Sequence, residues 1–211
     1  AVFADINTLQ PLLYNFEDRV SMAAVNSPNN CVISGKAEAM REIFQHLEQA
    51  ELPFQELRVS HAFHSPLMEV MLESFEEAAA QIVHNELQIP LISNLEGKMI
   101  PAGTVLNATY WRNHIRQPVL FQKSMTALEE AACDAWLEVG PPPNLTPLVQ
   151  QCIPHSKSLA LISLNRHMPE WSQLSESVAA LYTHGWTIDW NAFHGDRKQQ
   201  SVALPTYPFQ R

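Results

Sequence analysis

The chain has 211 residues, 46% of them hydrophobic, which suits one large domain, or a domain with a small subdomain, around a packed core. With 13 basic and 22 acidic residues the net charge is −9, so a duplex nucleic-acid surface is not an expected partner: affinity there rests on Lys and Arg neutralising phosphates. No apolar run reaches the ~20 residues of a membrane span, so no membrane partner is expected.

Cys31, Cys133 and Cys152 form neither a CxxC pair nor an even-numbered framework. A disulfide scaffold or a zinc knuckle is therefore not expected, and a reducing, cytoplasmic setting is. The opening Ala1-Val2-Phe3-Ala4-Asp5 carries neither a basic signal-peptide region nor an initiator Met, so the chain is expected to start inside a longer polypeptide.

Taken in order, residues 1–4 form a short apolar strand, and Asp5 or Asn7 caps a helix over 8–14. Strands follow at 20–25 and 31–34, separated by the turn-forming Asn26-Ser27-Pro28-Asn29-Asn30. Ala39, Met40, Ile43, Phe44 and Leu47 fall at helical spacing and predict a helix over 36–51, before a strand at 54–59. This β-α-β-β-α-β order is the ferredoxin-like pattern.

Pro66 suits the first turn of the next helix, whose apolar face is read as Leu67, Val70, Met71, Phe75, Ala78, Ala79 and Ile82. A strand at 91–95 and a turn at Glu96-Gly97-Lys98 come next. Residues 109–133 are helical in two pieces, broken at Pro118, which lacks the N–H a helix interior needs. A buried strand is predicted at 135–139, then a short helix over 145–152 capped by Asn144, a strand at 159–164, and a helix over 171–183 closed by Gly185. Alternating strands and helices argue for a layered α/β domain. The tail from Trp186 to Arg211 is rich in Pro and aromatic residues, lacks periodicity, and reads as an extended segment anchored on a surface.

The segment that invites chemistry is Val59-Ser60-His61-Ala62-Phe63-His64-Ser65-Pro66-Leu67-Met68, with two histidines three apart between a strand and a helix. Such a pair can be two core histidines, or a general base whose neutral imidazole activates a hydroxyl nucleophile. A zinc pair is not expected, because zinc needs three or four protein ligands and the nearest histidines, His46 and His84, sit on helices.

These residues resemble the active-site histidine segment of malonyl-type acyltransferase domains in modular type I polyketide synthases. Further segments carry the same resemblance: Ala23-Ala24-Val25-Asn26-Ser27-Pro28, Val32-Ile33-Ser34-Gly35, Tyr110 through Phe121, Glu138-Val139-Gly140-Pro141, and Leu204-Pro205-Thr206-Tyr207-Pro208-Phe209-Gln210-Arg211. They stand in the family's order and cover nearly the whole chain. The resemblance implies an α/β fold: a ferredoxin-like small subdomain over 1–60, the C-terminal portion of an α/β-hydrolase-like subdomain over 61–185, and a post-acyltransferase linker over 186–211.

It also implies roles. His64 would be the catalytic base. His114, or failing it Asn113, would orient the base through a carbonyl; the other reading of His114 is an exposed helix histidine. Asn26 would stand at the mouth of the site, or be a plain turn asparagine. The form His61-Ala62-Phe63-His64 resembles malonyl-selecting domains, where methylmalonyl-selecting ones carry Tyr-Ala-Ser-His. Phe63 would fill the space of a 2-methyl group, worth only ~1–3 kcal/mol of discrimination, and a core role for Phe63 is compatible with this.

The family's nucleophile is a serine in Gly-x-Ser-x-Gly, and no pair among this chain's glycines gives that motif. The implied reaction passes malonyl from malonyl-CoA to that serine and on to the phosphopantetheine thiol of an acyl carrier protein. No cofactor is expected on this chain itself. The implied partners are the carrier protein, an adjacent ketosynthase reached through the tail, and the N-terminal half of the domain, which would hold the serine, an oxyanion-hole glutamine and a carboxylate-gripping arginine. Alternatives are the malonyl/acetyl transferase of a type I fatty-acid synthase, a hydrolase, and a non-catalytic docking piece.

Overall fold

The computed structural model describes residues 1–195, 203 and 205–207. In the first part of the chain Asp5 is the cap: its carboxylate accepts the N–H groups of Asn7 and Thr8 (2.9 and 3.1 Å) and the Thr8 hydroxyl (2.6 Å), which starts α1 (Ile6–Leu13). Strands β1 (Val20–Ser27) and β2 (Asn30–Gly35) form an antiparallel hairpin, and α2 (Ala37–Gln49) follows. Ala39, Ile43 and Leu47 recur at helical spacing along α2 and are all fully buried. Gly35 closes the hairpin where a Cβ would lie 2.3 Å from the Arg19 carbonyl oxygen, so only glycine fits there.

Val2 bridges Cys31 on one side and Phe54 on the other, both antiparallel. The spatial order is therefore Phe54, Val2, β2, β1, which is the ferredoxin-like arrangement expected from the sequence. The strand predicted at 54–59 is reduced to its first residues. Backbone bonds tie Phe3 to Pro53 and Ala1 to Gln55, and beyond Gln55 the chain leaves the sheet, with Val59 69% exposed.

From Ser65 the chain enters a 3-10 turn (Pro66–Met68) that leads into α3 (Glu69–Ala80). The buried stripe is Met68, Leu72 and Ala79, with half-buried Phe75 between them; Val70, placed by periodicity on the apolar face, is 92% exposed. The helix packs chiefly on one neighbour, α4 (Ala108–Arg116), so one narrow stripe suffices. Polar bonds stitch the pair: Arg112 to Glu76 at 3.1 Å, the Thr109 hydroxyl to Glu76 at 2.6 Å, and Arg116 to Glu69 at 3.0 Å.

Between these helices β3 (Leu91–Ser93) and β4 (Lys98–Ile100) form a small hairpin, and α5 (Phe121–Glu130) follows the break at Pro118. Next come β5 (Ala135–Glu138), α6 (Thr146–Cys152) and β6 (Leu159–Ile162), with the two strands parallel. Helix α7 (Glu170–Thr183) ends at Gly185, whose φ is 91°.

Three expectations need correction here. The strand β5 is not buried: Leu137 is 52% exposed. Asn144 does not cap α6. The Glu138 carboxylate does, accepting the N–H groups of Asn144, Leu145 and Thr146 and the Thr146 hydroxyl at 2.7–2.9 Å. The tail is not wholly extended, since residues Trp190–His194 form α8, capped by Asp189, with Trp190 packed edge-on against Tyr182. Residues 196–202, 204 and 208–211 of the expected linker lie outside the described residues. No helix among the described residues is long and apolar enough to cross a membrane.

Candidate active site

The site lies along the seam where the second part of the chain joins the ferredoxin-like sheet. Val119 adds to the free edge of β1: its N–H donates to the Ala23 carbonyl and its carbonyl accepts from Val25 N–H, both at 2.9 Å. The register of β1 slips twice against β2, leaving Ala23 and Asn26 as extra, bulged residues.

A cleft of about 710 Å³ opens along this seam. His61, Phe63, His64 and Asn26 all line it, as does Arg41 from α2. Four of the five residues singled out in the sequence therefore meet in one concave site, although Asn26 lies far from the histidines in sequence.

His64 has a left-handed backbone, φ 60°, and its N–H donates to the Ile115 carbonyl at 3.1 Å. Its Nδ1 lies 2.7 Å from the Gln117 carbonyl oxygen. A carbonyl only accepts, so Nδ1 carries a proton, and in the neutral ring Nε2 keeps its lone pair. That is the tautomer a general base needs.

The orienting carbonyl therefore belongs to Gln117, not to His114 or Asn113. Its position is fixed from both sides. Gln117 N–H closes α4 on the Asn113 carbonyl at 2.8 Å, and the next residues, Pro118 and Val119, stop the helix and dock on β1. Any residue's carbonyl can fill such a role, so no side-chain signal marks it in the sequence.

His114 stands beside His64 instead, its ring centroid 6.4 Å from that of His64 and in contact with Tyr110 and Trp111. Burial, and then the charge of His64, push its pKa below the ordinary histidine value. It is a half-buried neutral neighbour rather than an exposed helix histidine.

His61 is exposed, with Nδ1 2.9 Å from the Ser60 hydroxyl, and Phe63 is 51% exposed with its ring 5.9 Å from that of His61. Neither is a core residue. Asn26 donates from its amide to Asn30 at 3.3 Å. Of the cysteines, Cys152 is no nucleophile at neutral pH, because burial pushes its thiol to about 11.

Comparison with known proteins shows the family. The acyl transferase domain family matches residues 5–185. A mycoketide-CoA synthase of Mycobacterium tuberculosis is 38% identical over all of the chain, which spans 5% of that protein. A type I phenolphthiocerol synthesis polyketide synthase of Mycobacterium marinum is 37% identical over 95% of the chain, which spans 10% of it. Among solved structures, the acyltransferase domain from the second module of the salinomycin polyketide synthase superposes with a TM-score of 0.86 at 35% identity, over 97% of this chain and 48% of that one. The chain thus spans about half the length of that solved domain and a small part of the curated relatives. A malonyl CoA-acyl carrier protein transacylase from Clostridium perfringens, 20% identical with a TM-score of 0.76, shares the fold. The chain belongs to the acyl transferase domain family and is similar to the acyltransferase domains of modular polyketide synthases.

Proposed function

We propose that this chain contributes the histidine side of an acyltransferase site that loads a malonyl unit from malonyl-CoA onto the phosphopantetheine thiol of an acyl carrier protein during polyketide synthesis. The observation that carries the reading is the Gln117 carbonyl at 2.7 Å from His64 Nδ1, which leaves Nε2 as a proton acceptor in the cleft.

In the first half-reaction Nε2 takes the proton of a serine hydroxyl supplied by another segment of the domain. The serine oxygen bonds to the thioester carbon, the C–S bond breaks, and the coenzyme A thiolate leaves with the proton from Nε2. In the second, Nε2 takes the proton of the carrier thiol, whose sulfur bonds to the ester carbon; the C–O bond to serine breaks, and the proton passes from Nε2 to the serine oxygen. Base assistance of this kind is typically worth 10²–10⁴-fold. Phe63, projecting at the cleft rather than packed in the core, supports selection of malonyl over 2-methyl-malonyl units by steric exclusion. A ketosynthase contact through the tail belongs to the same proposal, as does the cytoplasmic setting.

Intact mass before and after incubation with malonyl-CoA tests the division of labour. A malonyl adduct on a second polypeptide or on the complete domain, and none on this chain alone, is the expected result; an acyl-enzyme on this chain alone would sink it. In the complete domain, His64→Ala is expected to lower transfer by 10²–10⁴-fold with normal folding. Free malonate as the main product of the unsubstituted domain would point to a hydrolase instead.

A further inference from the structure

The cleft mouth carries a brace that no sequence motif announces. Asn26 is the extra residue of a bulge, since Val25 pairs with Cys31 while Ser27 pairs with Asn30. A bulge takes the residue's backbone groups out of the ladder and re-aims its side chain. The carbonyl freed in this way does not turn to solvent. It accepts the Cys152 thiol at 3.2 Å, across 126 positions of sequence. One residue on, the fully buried Ser27 hydroxyl donates to the Gln151 side-chain oxygen at 2.7 Å. Both partners sit in the last turn of α6, whose first turn is held by the Glu138 carboxylate at the end of β5.

The other bulge on β1, at Ala23, is handled in the same way: its carbonyl accepts Val119 N–H at 2.9 Å. Both bulged carbonyls of this strand are thus engaged by the second part of the chain. One contact, at Val119, lies two residues past the Gln117 carbonyl that bonds His64, and the other is made at Asn26, which lines the cleft.

We infer that Gln151 and Cys152 are positioning residues for the transfer reaction, holding the Asn26 bulge so that its side chain meets the incoming thioester at the cleft mouth. The inference rests on the reading of the cleft as the acyl-transfer site. Neither residue touches substrate; each acts through Asn26 and its neighbour.

The test uses the complete acyltransferase domain with malonyl-CoA, measuring KM and kcat separately and melting temperature as a control for folding. Asn26→Ala serves as the reference. Gln151→Ala is expected to raise KM roughly three- to tenfold, the worth of one ordinary hydrogen bond, with kcat little changed. Cys152→Ala should move KM in the same direction by less, because a thiol is a weak donor. Cys152→Ser, which keeps a donor to the Asn26 carbonyl, should restore it. The effects of Gln151→Ala and Asn26→Ala should be less than additive, as expected when one acts through the other.

If Asn26→Ala raises KM and the two α6 variants leave it alone, the brace is refuted while the reading of the cleft stands. Full additivity of Gln151→Ala and Asn26→Ala would overturn it too. If Asn26→Ala itself leaves KM unchanged while His64→Ala lowers transfer by 10²–10⁴-fold, the mouth role of Asn26 falls and the brace falls with it. If His64→Ala leaves transfer intact, the reading of the cleft has failed.

Discussion

The ferredoxin-like part and the part that follows it are held together by different physics. The first owns a closed apolar core: the clustered buried residues run from Val2 to Leu47 and draw on every helix and strand of that part. The second has scattered buried apolar side chains and large exposed ones, among them Val70, Val83 and Val139 at 92%, 82% and 81% exposure. Its parallel pair β5–β6 has Leu137 half in water, where parallel strands ordinarily have both faces covered. What stitches this part is polar: the Glu138 cap, the Glu76–Arg112 and Glu69–Arg116 pairs, and the bonds of α6 to β1. The lesson is that the cleft lined by His64 is framed by an apolar core on one side and by a network of directional bonds on the other.

The comparison can be broken by substitutions that should behave unequally. Ile43→Ala, at a fully buried position of α2, is expected to cost about 2–5 kcal/mol in denaturant unfolding of the ferredoxin-like part. An equal loss from truncating Val139 would erase the distinction. Gly35→Ala drives a Cβ into the Arg19 carbonyl and should cost about 1–3 kcal/mol by overpacking.

Glu138→Gln, which weakens a helix cap that stays partly in water, should cost about 0.5–2 kcal/mol, towards the lower end. Its effect should be local to β5, α6 and β6, where amide exchange would rise while that of α2 stays put. Burial alone would raise the Glu138 pKa, but the bonds from Leu145, Thr146 and Asn144 outweigh it and hold the value below that of an ordinary glutamate. With the folded value depressed, the stabilisation is complete above the unfolded pKa of ~4.3 and is lost as pH falls through the folded one. An exchange pattern in that region unmoved between pH 6 and pH 3 would count against it. Smallest of all, Val139→Ser should shift stability by no more than about 0.5 kcal/mol, since the side chain is already in water.

Much of the first part was legible because apolar spacing marks what is buried there: Ala39, Ile43 and Leu47 announce α2, and Gly35 and the Asn26–Asn30 stretch punctuate the hairpin. In the second part the same logic misplaced the α3 face at Val70 and buried β5, because apolar residues there are not all inside. The candidate site divides in the same way. His64, Phe63 and Asn26 carry side-chain signals and meet in the cleft. The Gln117 carbonyl is a backbone atom, and the Glu138 carboxylate and the Cys152 thiol bind backbone groups, which have no spelling in the sequence. The sequence places the cap at Asn144 because a cap is normally sought next to its helix, whereas Glu138 reaches it from the end of β5.

The left-handed backbone at His64 has a consequence for how that position is probed. For a residue with a Cβ this conformation costs roughly 1–2 kcal/mol, which glycine does not incur. Replacing His64 by glycine removes the imidazole and its bond to Gln117 but also relieves the backbone, so the two effects nearly cancel. The domain should then be chemically dead and thermally almost unchanged. Asparagine, which tolerates the same conformation, would keep the backbone shape while removing the base. On the role proposed for His64, the fold gives up stability at the residue whose aim matters most, and a screen that scored only thermal tolerance would rank that position as dispensable.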